Sequence, residues 1–117
     1  MAKPFPVERT VGTSGANAPQ TVSSPARGRR VLKMVTVAYS AALLNNVTVT
    51  TTLNAGAGAG YDTRLSGIDM LVGERWAGFI PEFPIPLSEG DSIDVVAPAG
   101  GAAVTSGVQI YTEPDGA

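Results

Sequence analysis

Val47-Thr-Val-Thr-Thr-Thr-Leu-Asn54 alternates strictly, with Val47, Val49, Thr51 and Leu53 on one side and Thr48, Thr50, Thr52 and Asn54 on the other. Successive side chains of an extended chain point to opposite faces, so this is a half-buried strand with a threonine outer face. A helix is disfavoured, because seven of the eight residues are Val, Thr or Asn, all weak helix formers.

Upstream of this stretch, Asn45–Asn46 is turn chemistry. Before it, period two runs from Arg30: Val31, Lys33, Val35, Val37 and Tyr39 face one way, and Leu32, Met34, Thr36, Ala38 and Ser40 the other. Both faces carry apolar residues, which predicts a central strand or one at an interface. Downstream, Asn54-Ala-Gly-Ala-Gly-Ala-Gly60 is a hairpin connection, and Asp62–Val72 a strand with Gly67 as a candidate bulge. Arg75–Ile80 is a short aromatic strand. Pro81, Pro84 and Pro86 belong to an edge or a connector, since proline cannot donate to a sheet ladder. Turns at Leu87–Asp91 and Pro98–Gly101 separate two further strands, 92–97 and about 103–112. The sum is an antiparallel β-sandwich or jelly-roll-like domain of six to eight strands.

The first thirty residues have another texture. Lys3, Arg9, Arg27, Arg29 and Arg30 stand against Glu8 alone, a net of +4, whereas residues 31–117 carry −6. Pro4, Pro6, Pro19 and Pro25 exclude a continuous helix. Residues 1–28 therefore read as an extended basic arm, ordered only against a partner, and 29–117 as the sandwich. On this reading, deleting 1–28 leaves a folded body that attaches less tightly. A body this small gains from oligomerisation.

Composition narrows the chemistry. With no Cys there is no disulfide or thiolate metal site, and with no His the commonest general base and zinc ligand are missing. Lys33 has no serine at useful spacing, so an activated Ser-Lys pair is disfavoured and no enzyme is expected. Gly56–Gly60 lacks the following helix and Lys-Ser/Thr of a phosphate loop. Asp91 and Asp94 project to opposite faces of a strand and suit no single ion. No cofactor or metal is expected. Neither a signal-peptide core nor a membrane-length apolar run is present, so the chain reads as made in the cytoplasm and soluble. Arg27-Gly-Arg-Arg30 could meet phosphates, but the aromatics lie in an acidic context, and an acidic protein surface fits at least as well. Tyr61, Trp76, Phe79 and Phe83 form either core and interface anchors or a sugar-binding platform.

Two stretches carry a resemblance: Val35–Ser40 through Asn46–Thr50 and Leu53–Asn54 to Tyr61–Asp62, and Asp91–Gly101 through Val108–Tyr111. Together they resemble the small β-sandwich head decoration, or cement, proteins of tailed bacteriophages. The resemblance implies a non-enzymatic virion protein on the capsid exterior, made in the host cytoplasm. It would be a homo-oligomer, most often a trimer, bridging subunits of the major capsid protein. Lys3, Phe5, Val7, Arg9, Arg27, Arg29 and Arg30 would then contact the capsid, and Val31, Lys33, Val35, Trp76, Phe79 and Phe83 the neighbouring copy. The alternatives are a carbohydrate-binding or adhesion β-sandwich recognising a surface glycan, another virion component (neck, tail or fibre), and a nucleic-acid-binding barrel.

Overall fold

A computed structural model of the protein describes residues 8–114. The strands among them are β1 Glu8–Thr13, β2 Gln20–Pro25, β3 Arg30–Tyr39, β4 Val47–Asn54, β5 Thr63–Met70, β6 Trp76–Phe79, β7 Ile85–Leu87, β8 Ser92–Ala97 and β9 Ser106–Pro114. A single 3₁₀ turn, Ala59–Tyr61, closes the Gly/Ala hairpin between β4 and β5. One sheet, A, runs β1-β9-β3-β6 with β7 also on β3; the other, B, runs β2-β8-β4-β5. All pairings are antiparallel. This is the strand order of a jelly roll, with one edge position shared by two short strands.

The alternation quoted from β4 is realised: Val47, Val49 and Thr51 are buried, and Thr48, Thr50 and Thr52 lie on the outer side. Leu32, Val35 and Val37 of β3, Ile93 and Val95 of β8, and Val108 and Ile110 of β9 fill the space between the sheets. Each such side chain contributes about 1.5–3 kcal/mol on burial, and their sum is what closes the sandwich.

Two expectations are corrected. Residues 8–28 are not an arm outside the domain. β1 pairs with β9 over Glu8–Thr13, and β2 with β8 over Gln20–Pro25, so this segment supplies an edge strand to each sheet. It is extended and non-helical, but ordered against its own chain. The seam between β1 and β2 is small and polar: Thr10 Oγ1 lies 3.0 Å from Ser24 Oγ, and a Cβ on Gly12 would come within 2.5 Å of Val22. Gln20 Nε2 donates to Ser106 O at 3.1 Å and to its Oγ at 2.9 Å. Residues 1–7 lie outside the described residues.

The second correction is in β3. Leu32 pairs with Thr112 and Met34 with Tyr111, so Lys33 is an extra, bulged residue. One extra residue flips the phase of alternation. Leu32 therefore points inward together with Val35, Val37 and Tyr39, all buried, while Val31 and Lys33 do not follow Val35.

Loops gather at two poles. At one pole Leu43 N donates to Glu74 O, Leu44 N to Gly100 O, Ser40 N to Thr105 O and Asn17 N to Val104 O. At the other, Ala26 N donates to Asp91 O, and Asp91 accepts the amides of Gly56 and Ser88, each at 2.9 Å. These two amides hold the Asp91 carboxyl below its ordinary pKa. Gly56 is needed there, because a Cβ would stand 2.8 Å from the Gly90 backbone.

Candidate binding face

The two sheets present different outer surfaces. On sheet B, Ser23 donates to Asp94 at 2.7 Å, Asn54 at 3.1 Å and Ser92 at 3.2 Å, while Thr48 donates to Asp69 at 2.7 Å. Arg64 lays its guanidinium over Gly67, where a Cβ would overlap it. The extra residue of β5 is Leu65, so the expected bulge falls two positions before Gly67. This face is polar, charged and internally bonded.

Sheet A's outer face is built in three rows. Register places Thr13, Gly107, Ala38 and Trp76 side by side across β1, β9, β3 and β6. Val11, Gln109, Thr36 and Gly78 form the next row, and Arg9, Tyr111 and Met34 the third. Arg9 is the one charge in these rows. Lys33 and Glu113, 3.4 Å apart, lie beyond these rows at the far end of the sheet and satisfy each other.

Trp76 dominates this face. Its side chain is 66% exposed. Its six-membered ring reaches over Gly78, with Cη2 and Cζ2 3.2 and 3.4 Å from where a Cβ would stand. Glycine at 78 thus gives the indole a seat against the sheet. Beside it the floor is small: Ala38 is exposed, and a Cβ on Gly107 would meet only a backbone oxygen at 3.8 Å. Tyr111 donates its hydroxyl to Gln109 Oε1 at 2.8 Å, which orients the half-buried amide. The arrangement is an aromatic plate beside a floor of small residues, with hydroxyl and amide groups of Thr13, Thr36 and Gln109 within the same rows.

The residues singled out from the sequence are scattered. Trp76 and Phe79 sit three apart on one strand and face opposite ways: Phe79 pairs with Val35 and packs against the core. Val35, at 2% exposure, is core and cannot meet a neighbouring copy. Phe83 is 70% exposed in the connector between β6 and β7. Tyr61, 70% exposed, lies at the opposite pole from Trp76, so the four aromatics make no common platform. Arg9, Arg27 and Arg29 are exposed. Arg30 is not offered to a partner: its side chain is 11% exposed, and it donates to Thr112 Oγ1 at 2.9 Å and Thr112 O at 3.1 Å, with Glu8 3.9 Å away. Lys3, Phe5 and Val7 lie outside the described residues. Sequence reasoning missed Thr13, Thr36, Gly78, Gly107 and Gln109. The available signal was the Trp-x-Gly spacing of a strand, which puts glycine under the ring.

Among the described residues no group of three or more His, Cys, Asp or Glu could hold a metal ion. No helix there is long and apolar enough to cross a membrane.

No family model and no curated protein matches the sequence. Solved structures do match. The family 32 carbohydrate-binding module of C. perfringens NanJ, determined in complex with galactose, aligns at 11% identity and TM-score 0.55, over 88% of this chain and 93% of that one. Yersinia pseudotuberculosis-derived mitogen aligns at 11% identity and TM-score 0.43, over 97% and 90%. A family 29 carbohydrate-binding module aligns at 12% identity and TM-score 0.41, over 93% and 89%. The first of these likenesses establishes the β-sandwich fold shared by the two chains.

Proposed function

We propose that this protein is a non-catalytic carbohydrate-binding β-sandwich whose site is the outer face of sheet A. The observation that carries the reading is the exposed indole of Trp76, seated on Gly78 beside a floor of small residues and uncharged hydrogen-bonding groups. A pyranose has one face rich in C–H groups, which stacks on an indole, and a rim of hydroxyls, which suit the Thr36 hydroxyl one strand from β6 and the Gln109 amide two strands from it. The galactose-bound module with the same fold makes a sugar a reasonable first ligand to test. At about 0.3 kcal/mol per non-hydrogen atom, a single hexose of about twelve such atoms gains about 4 kcal/mol, or millimolar affinity. Useful affinity would then come from several copies binding together. Glycan-array binding by the full chain, lost in Trp76→Ala, is the expected result. An array with no hits, or hits untouched by the substitution, overturns it.

A second reading is a structural protein of a virion exterior, bound to the major capsid protein. The exposed basic loop at Arg27 and Arg29 favours it, since a positive patch suits an acidic partner surface. Salt-sensitive co-sedimentation with assembled capsids is its expected signature, and absence of co-sedimentation at low salt contradicts it.

A further inference from the structure

The edge of sheet A is a single strand broken in the middle. β6 pairs with Val35–Ala38 and β7 with Arg30–Leu32 on the same side of β3, and Ile80–Pro84 loops out between them, opposite the Lys33 bulge. The two irregularities leave a groove of about 280 Å³. Val31 and Leu32 form one side, Ile80, Pro81 and Pro84 the other, with Lys33 and Glu82 at the rim. Ile80 is 72% exposed. Lys33 is committed to Glu113, whereas Glu82 has no ion-pair partner among the described residues.

Residues 1–7 read Met-Ala-Lys-Pro-Phe-Pro-Val and precede β1. Phe5 and Val7 are apolar, and Lys3 brings the charge that Glu82 lacks. Lys3 and Phe5 each precede a proline, a sequence that disfavours helix and lowers the entropy lost when such a segment binds in extended form. We propose that residues 1–7 of one copy seat in this groove of a second copy, with Phe5 against Ile80 and Pro84, and so join the chains into a homo-oligomer.

Reach decides between the chain's own groove and a neighbour's. Glu8 pairs with Thr112, which pairs with Leu32, which pairs with Ile85. Glu8 therefore starts three strand spacings from the groove's outer wall, about 14 Å. Phe5 is three residues from Glu8, at most about 11 Å of extended chain, so even with its side chain added it meets the outer wall of its own groove only where the chain runs straight across the sheet. β1 also runs parallel to β3 with Glu8 level with Leu32, so the N-terminal end of β1 lies on the Arg30 side of the Lys33 bulge. A neighbour's groove has neither restriction. The contact is head to tail, so it closes into a ring where the rotation permits. This inference is independent of the glycan reading.

The test is sedimentation of the full chain over a concentration series, with Phe5→Ala, Ile80→Ser and the double variant. The expected result is a reversible oligomer whose assembly midpoint rises at least about tenfold in either single variant. The double variant should be no weaker than the weaker single, because both remove one contact. In parallel, a photo-crosslinker at position 5, in a mixture of isotopically labelled and unlabelled chains, should join residues 80–84 of a different copy. A full chain that stays monomeric, variants with an unchanged midpoint, or crosslinks only within one chain each overturn the proposal.

Discussion

The outer faces of the two sheets are made from the same backbone geometry yet do opposite things with their side chains. Sheet B spends its polar groups on itself: Asp94 gathers Ser23, Asn54 and Ser92, and Asp69 takes Thr48. Sheet A leaves a large aromatic side chain uncovered and keeps charged groups to Arg9 in its three rows. A self-satisfied polar face gains little by meeting a partner, since each bond gained costs one already made. An exposed indole on a neutral floor gains by being covered. In this small sandwich, then, sheet B satisfies its polar groups internally and sheet A leaves an indole open to water.

Removing residues 1–28 is the harshest challenge to the contrast, because it strips β1 from sheet A and β2 from sheet B. The account expects the truncated chain to lose its cooperative melt, whereas a folded remainder would mean that these strands are accessory. Next in size is Trp76→Ala. It should weaken sugar binding about thirtyfold or more, about 2 kcal/mol, while shifting unfolding free energy by no more than about 0.5 kcal/mol. Titration calorimetry beside denaturant melts separates the two numbers. Asp94→Ala should do the reverse, costing about 1–2 kcal/mol of stability through three lost hydrogen bonds and leaving binding intact. Gly78→Ala is gentler: the added methyl displaces the Trp76 ring by tenths of an ångström, and affinity should drop several-fold with the melt nearly unchanged. The smallest effect is a pH dependence far from the face. Asp91 has a lowered folded-state pKa, so its stabilisation is complete above its unfolded value, about 4, and fades as pH falls through the folded one. The stability gap between the wild type and Asp91→Asn should therefore be largest near neutrality and close in acid.

How much of this was readable beforehand depended on whether a strand's buried side is apolar. β4 announced itself because Val47 and Val49 alternate with threonine, and Pro86 was correctly confined to an edge, where it lies opposite Val31. β1 and β2 were hidden because their inward positions include Thr10, Gly12 and Ser24, which bury a polar seam in place of an apolar stripe. In β3, strict alternation put Val31, Lys33 and Val35 on one face. A single bulged residue undid this, and bulges leave no compositional mark at a lysine. By sequence Trp76 groups with Tyr61, Phe79 and Phe83, either as core and interface anchors or as a sugar platform, although strand alternation alone separates Trp76 from Phe79, three residues on. The remaining face, Gln109 with Thr13 and Thr36, comes from three strands far apart in sequence and becomes visible only with register.

On the proposed reading a sugar stacks on the outer face of sheet A. The chain has one tryptophan, so its emission reports on this face alone. The direct measurement is tryptophan fluorescence of the full chain titrated with galactose and with array-positive oligosaccharides. The account predicts a saturable change in intensity and a shift to shorter wavelength as the indole is covered, with Gly78→Ala needing several-fold more sugar. Emission that stays unchanged while the same sugar binds by calorimetry would place the site elsewhere and contradict it.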